Sequence, residues 1–128
     1  MPINLTHKYL DQLTYKVIGC AIEVHKQLGP GLIESVYEKC FLRELALQGI
    51  QYRNQLRVSL NYKGLLLDAD LRIDVMAEDI LLIELKAVDG LLPIHEAILL
   101  TYMRMLEKPK GVLINFNCTN IYKNDQKH

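Results

Sequence analysis

Asp74-Val75-Met76-Ala77-Glu78-Asp79-Ile80-Leu81-Leu82-Ile83-Glu84-Leu85-Lys86-Ala87 is the stretch that decides how this chain is read. In a strand, residues two apart share a face, so Glu84 and Lys86 project together with Cα atoms about 6.5 Å apart. Leu81, Ile83 and Leu85 occupy the opposite face. A carboxylate and an ammonium thus stand in the most apolar strand of the chain. Mutual ion pairing is the bland explanation. Buried pairs, however, add little net stability and apolar replacements often match them, so stability alone accounts for this pair poorly.

Asp74 enters through register. If Leu71, Ile73 and Val75 are to share a side with Leu81, Ile83 and Leu85, then Val75 faces Leu81 and Ile73 faces Ile83. That pairing leaves Ala77-Glu78-Asp79 as a three-residue connection. It puts Asp74 on the Glu84/Lys86 face, opposite Leu82 and diagonal to Glu84. A two-residue Glu78-Asp79 turn would send Asp74 to the other face. The expectation is therefore two carboxylates and an ammonium converging on one patch. Close carboxylates raise each other's pKa unless a cation sits between them. A few oxygen ligands with room for water and phosphate favour Mg²⁺ or Mn²⁺ over zinc. A lysine beside such an ion can orient a water and stabilise charge developing on phosphate. The matching chemistry is metal-assisted phosphodiester hydrolysis.

Outward from this stretch, the pattern changes period. Upstream, Leu13, Val17, Cys20, Ala21, Val24 and Leu28 follow helical spacing and predict a helix from Thr14, as N-cap, to Leu28. Gly29-Pro30-Gly31 stops it. A second helix is expected over Ile33 to Gln48, burying Tyr37, Cys40, Phe41 and Leu45, with Gly49 just past its end. Gln55 to Tyr62 then alternates, Lys63-Gly64 marks a turn, and Leu65 to Leu67 resumes an apolar run. With the 71–75 and 80–87 segments this gives three consecutive antiparallel strands. Downstream, Ile94 to Leu106 is apolar nearly all round and predicts a well-buried helix started by Pro93. Val112 to Phe116 is a short strand, and the polar tail that follows is expected to be mobile. The expected order is helix, helix, strand, strand, strand, helix, strand.

The chain has 128 residues, 50% hydrophobic, a length that fits one domain with an ordinary core. No apolar run approaches the ~20 residues of a membrane helix, and Lys8, Asp11, Lys16 and Glu23 interrupt any secretory-type segment. A cytoplasmic, non-membrane protein is expected. Cys20, Cys40 and Cys118 are odd in number, scattered and without a CxxC pair, which argues against both a disulfide framework and a zinc site. Fifteen basic residues balance fifteen acidic ones, which counts against coating nucleic acid by bulk charge. The charge is unevenly placed, though. Between Lys39 and Lys63 five basic residues face one acid; between Asp68 and Asp89 seven acids face two basic residues.

Asp74, then Glu84-Leu85-Lys86 ten residues on, set between an upstream helix and a downstream helix and strand, resembles the PD-(D/E)XK nuclease superfamily. Gly31-Leu-Ile-Glu34-Ser-Val-Tyr37 matches the GxxExxY motif that names a group of small bacterial and archaeal proteins within it. The segments Ile22 to His25, Leu28 to Gly31 and Leu92 to Ala97 are similar to that group too. The resemblance spans about Leu13 to Asn117. It implies an α/β (α+β) fold: a restriction-endonuclease-like αβββαβ core with a mixed four-stranded sheet flanked by helices and an extra N-terminal helix. It further implies Asp74, Glu84 and Glu34 as metal ligands, Lys86 beside the nucleophilic water, and Mg²⁺ or Mn²⁺ as cofactor. The leading expectation is action on DNA, with Lys39, Arg43, Arg53, Arg57 and Lys63 as phosphate contacts and Tyr37, His95 and Tyr102 as supporting positions. Two departures stand out. Ile73 replaces the proline of the literal motif, and Ile98 stands where related sequences often carry glutamine.

Each of these residues has a plainer reading. Any carboxylate in a first helical turn, as Glu34 is, gains from the macrodipole. Tyr37 on an apolar face reads as a packed aromatic with a bonded hydroxyl, and His25 and His95 read as helix-end groups. His95-Glu96 begins like HExxH, but Leu99 stands where the second histidine belongs. Three functions follow: a metal-dependent nuclease; a catalytically weak or inactive binding module on the same fold; and an interaction protein whose Glu84 and Lys86 merely pair. A homodimer would give so small a domain enough surface to hold a duplex.

Overall fold

A computed structural model of the chain describes residues 7–119 and 126–127. Its elements are α1 (His7–Leu28), α2 (Glu34–Leu47), β1 (Tyr52–Tyr62), β2 (Leu65–Ala77), β3 (Leu81–Lys86), α3 (Pro93–Leu106), β4 (Lys110–Asn115) and β5 (Gln126–Lys127). The strands form one mixed sheet in the order β1-β2-β3-β4-β5. β3 and β4 run parallel, joined through α3, and the other pairs are antiparallel. This is the expected α+β fold with one strand more. The extra strand comes from the tail expected to be mobile, whose Gln126 pairs with Ile114; residues 120–125 and 128 lie outside the described residues.

The sheet has an apolar core on each face. On one side α1 and α2 bring Val17, Ala21, Val24, Tyr37, Phe41 and Leu45 against Leu81, Ile83, Leu85, Val112, Ile114 and Phe116. On the other, Leu99 of α3 packs with Met76, Leu82 and Leu113. Every residue from Leu81 to Leu85 is buried, and each large aliphatic among them is worth roughly 1.5–3 kcal/mol of transfer free energy. α3 can approach β4 only because residue 111 is glycine. A Cβ there would lie 2.9 Å from Leu99 Cδ1 and 2.9 Å from Met103 Sδ.

Four expectations are corrected. α1 begins a full two turns before Thr14, which is buried inside the helix and donates its hydroxyl to the Leu10 carbonyl at 2.7 Å instead of capping. α3 buries only Leu99 fully; Leu92, Ile94, Ile98 and Leu100 are exposed, because the helix meets the sheet along one stripe and nothing among the described residues covers the rest. The β2–β3 register is displaced by two residues from the expected one, with Val75 facing Ile83 and Ala77 facing Leu81. Ala77 stays in the strand, and Glu78-Asp79-Ile80 form the connection because Glu78 (φ 51°) and Asp79 (φ 57°) take left-handed backbone conformations. The parity expected from the apolar pattern is kept, so Asp74 still shares a face with Glu84 but stands opposite it.

The fourth correction concerns the apolar side of β2. Leu71 and Ile73 pack with the α3-side core, whereas Val75 and Ala77 belong to the α1/α2-side core. The switch coincides with Gln55, which lies between the pairs Asn54↔Val75 and Leu56↔Ile73 and has φ 51°. Gln55 keeps the register of the pairs on either side of it, and the one register shift of the β1–β2 ladder lies further along, between Val58 and Leu60.

Candidate active site

The β2–β3 ladder ends at Val75↔Ile83. One step further on, the strands separate, and side chains take over the role of the ladder. The Asp74 backbone N–H donates to Glu84 Oε1 at 3.0 Å, and the Leu85 N–H donates to Asp74 Oδ2 at 2.8 Å. Each carboxylate thereby caps a backbone donor of the opposite strand, and each keeps a second oxygen for another partner. Glu84 is 7% exposed and Asp74 half-buried.

Such placement is electrostatically costly. Burial, then the charge of Asp74, pushes the Glu84 carboxyl up from 4.5 to about 7. Asp74 is raised chiefly by burial, against the lowering influence of the Leu85 N–H. Lys86 favours the charged form of both, yet among the described residues it forms no ion pair within 4.0 Å. The simple Glu84–Lys86 pair is thus not what the fold builds.

Glu34 reaches the same field from the first turn of α2. Its carboxyl is raised by burial and then by Asp74, and lowered by Lys86. The GxxExxY segment explains how it is placed. Gly31 has φ 102°, a conformation side chains rarely adopt, and lets the chain turn between α1 and α2. Tyr37 is fully buried and stacks on Phe116 at 4.7 Å; its hydroxyl donates to the Gly29 carbonyl at 2.5 Å and accepts from the Leu32 N–H at 3.1 Å. The tyrosine ties down the loop from which Glu34 emerges.

Three residues that the sequence reading passed over belong here. Glu38, one turn after Glu34, adds charge that raises Asp74. Gln55 Nε2 donates to both Glu38 oxygens, at 2.9 and 3.1 Å. Asn115, fully buried beside Lys86, accepts from the Val88 N–H at 3.0 Å and donates to the Val88 carbonyl at 2.9 Å, fixing the exit from β3. The four-residue spacing Glu34/Glu38 and a polar residue inside Val112 to Phe116 were readable signals; the backbone of Gln55 had none.

Other expected positions lie apart from the carboxylates. Arg53 is taken up by Asp79, Nη2 to Oδ1 2.6 Å, at the turn end of the hairpin. Lys39, Arg43, Arg57 and Lys63 are exposed, Lys63 over the Tyr62 ring at 5.5 Å. His95 Nδ1 accepts from the Leu92 N–H at 3.0 Å, which fastens the start of α3. Tyr102 packs in the α3-side core.

Among the described residues, no three His, Cys, Asp or Glu side chains are grouped to hold a metal ion by themselves. Asp74 and Glu84 nonetheless suit a hard divalent cation. They are oxygen donors, they repel each other in a half-dry place, and Mg²⁺ characteristically takes one or two carboxylates and completes its shell with waters and substrate phosphate. Residues 11–127 match the family model described as PD-(D/E)XK nuclease superfamily. Neither a curated protein nor a solved structure matches the chain.

Proposed function

Because the chain belongs to the PD-(D/E)XK nuclease superfamily, we propose that it is a divalent-metal-dependent nuclease hydrolysing phosphodiester bonds in DNA, within the GxxExxY group. The observation that carries this reading is the reciprocal capping at the open end of β2–β3, which fixes Asp74 and Glu84 face to face beside Lys86. In this reading Asp74 and Glu84 hold Mg²⁺ or Mn²⁺, with Glu34 as a further acidic ligand. The cation supplies Lewis-acid stabilisation of phosphate charge and makes a bound water more acidic.

The remaining work belongs to the chain. Lys86 orients the attacking water and donates to the phosphate oxygen on which charge grows. Glu34, whose carboxyl is raised above its ordinary range by burial and by Asp74, adds a third acidic side chain at the edge of the site. Lys39, Arg43, Arg57 and Lys63 contact backbone phosphates; Arg53, engaged by Asp79, is the weakest member of that set. The apolar α3 surface of Leu92, Ile94, Ile98 and Leu100 suits a second copy of the chain as partner. No helix among the described residues is long and apolar enough to cross a membrane, and a cytoplasmic setting fits the free thiols of Cys20 and Cys40.

A second reading, a catalytically silent binding module, is favoured by one observation: Ile98 is apolar and 40% exposed on α3. Calorimetric titration of Mn²⁺ and Mg²⁺ into the wild type and an Asp74→Asn/Glu84→Gln variant, with plasmid nicking on the same preparations, separates the two. Metal binding lost in the variant together with metal-dependent nicking supports the nuclease. Binding without nicking supports the module, and no binding with or without DNA rejects both cation-based roles.

A further inference from the structure

Gln55 is an exposed, uncharged residue inside a strand, yet its backbone sits at φ 51°, a left-handed conformation that strains a non-glycine residue. Its place in the ladder is opposite Asp74, between Asn54↔Val75 and Leu56↔Ile73. Had β1 continued as a regular strand, residue 55 would have paired with Asp74 through the backbone. Instead the backbone takes a left-handed conformation and the side-chain amide is bonded to the Glu38 carboxylate, with Nε2 2.9 and 3.1 Å from its two oxygens. Glu38 in turn is on α2, one turn from Glu34.

We propose that Gln55 is a positioning residue: its amide, anchored on Glu38, holds the Asp74 carboxylate in the orientation that accepts the Leu85 N–H and faces Glu84. The inference rests on Asp74 and Glu84 being the cation ligands, and adds what keeps the first of them aimed. An amide suits the post because it donates to two anions without adding charge. A lysine would neutralise the field that attracts a cation, and a carboxylate would add repulsion. Residue 55 stands opposite Asp74 in the ladder, and its amide is held there by both oxygens of Glu38.

The test reads a backbone amide, independently of activity. In metal-free full-length protein, amide hydrogen exchange is measured by NMR in the wild type, Gln55→Ala and Gln55→Gly; the glycine variant removes the backbone strain as well as the amide. Both variants are expected to speed exchange at Leu85, whose N–H the Asp74 carboxylate accepts, by about three- to tenfold, the equivalent of one weakened hydrogen bond. Amides of the Val75↔Ile83 ladder are expected to keep wild-type rates. Mn²⁺ titrated into the same proteins should bind more weakly by a similar factor. Unchanged exchange at Leu85 in both variants overturns the proposal. So does acceleration in the alanine variant alone, which would assign the effect to strain, or acceleration spread evenly over the sheet. Wild-type protein that binds no Mn²⁺ would count against the nuclease reading, while the Leu85 amide still decides the role of Gln55.

Discussion

The β2–β3 hairpin carries four acidic residues near its two ends, and the ends treat them oppositely. At the turn, Asp79 is met by Arg53 at 2.6 Å and by Lys108, whose Nζ also donates to the Asp79 carbonyl at 2.8 Å; Glu78 accepts from the Gln51 N–H at 2.7 Å. Asp79 and Arg53 are exposed, Glu78 and Lys108 half-buried, and each acid is matched by a donor. At the open end, Asp74 and Glu84 are sunk into the sheet with each other's charge for company, and the nearby ammonium of Lys86 keeps its distance. The turn end uses acids to hold a left-handed connection together. The open end stores repulsion that folding could have avoided with two apolar residues, and it is there that the proposed chemistry is placed.

Substitutions can break this contrast. The largest effect is expected at Glu84→Gln, which keeps the acceptor for the Asp74 N–H and removes the charge. Metal-dependent nicking should fall by about 100-fold or more, whereas Asp79→Asn should leave it within about twofold. A plasmid-nicking rate that responds equally to both would erase the distinction between the ends. Next comes Tyr37→Phe, which leaves the Gly29 carbonyl and the Leu32 N–H, both at the edge of the core, without their hydroxyl partner. It should cost about 1–3 kcal/mol in urea unfolding, and its cation affinity should drop as Glu34 loses its fixed approach.

A pH series sharpens the comparison further. The folded chain holds the Glu84 proton up to about 7, against an ordinary value of 4.5. The folded state therefore binds that proton more tightly, and the stability it contributes is complete below about 4.5 and lost as pH climbs through about 7. Metal-free protein should melt at a lower temperature at pH 8 than at pH 5.5. Glu84→Gln should flatten the trend and gain about 1–3 kcal/mol at pH 8. In the wild type, Mn²⁺ should bind more tightly as pH passes 7, because the cation competes with the proton. The smallest effect is expected at the turn. Asp79→Asn should cost no more than about 1 kcal/mol, shrinking further in high salt, because both partners are largely exposed.

The sequence disclosed parity better than register. Alternation in Asp74 to Lys86 was enough to put the two acids on one face, since a one-residue slip would have turned the apolar set outward. It could not separate registers two residues apart, because both bury the same residues; the choice rests on left-handed Glu78 and Asp79, residues with no strong preference for that conformation. α3 misled for a related reason. Ile94 to Leu106 is apolar enough to be buried all round, but composition does not say how many neighbours the chain can supply. Glu34 was legible through a motif whose glycine and tyrosine have separate mechanical tasks. Gln55 was not, because its role depends on a backbone turn that no local propensity announces.

The parallel pairing of β3 with β4 also bears on the order in which the chain folds. Asp74 and Glu84 are joined by a short hairpin, a local closure that can form early in water, where their repulsion is weak. Glu84 is sealed only when Leu113 arrives beside it, after α3 has carried the chain across the sheet. Desolvation of the pair falls on that later, non-local docking step. The kinetic signature of the site is then a β4 docking rate that slows as Glu84 ionises, while hairpin formation is indifferent to pH.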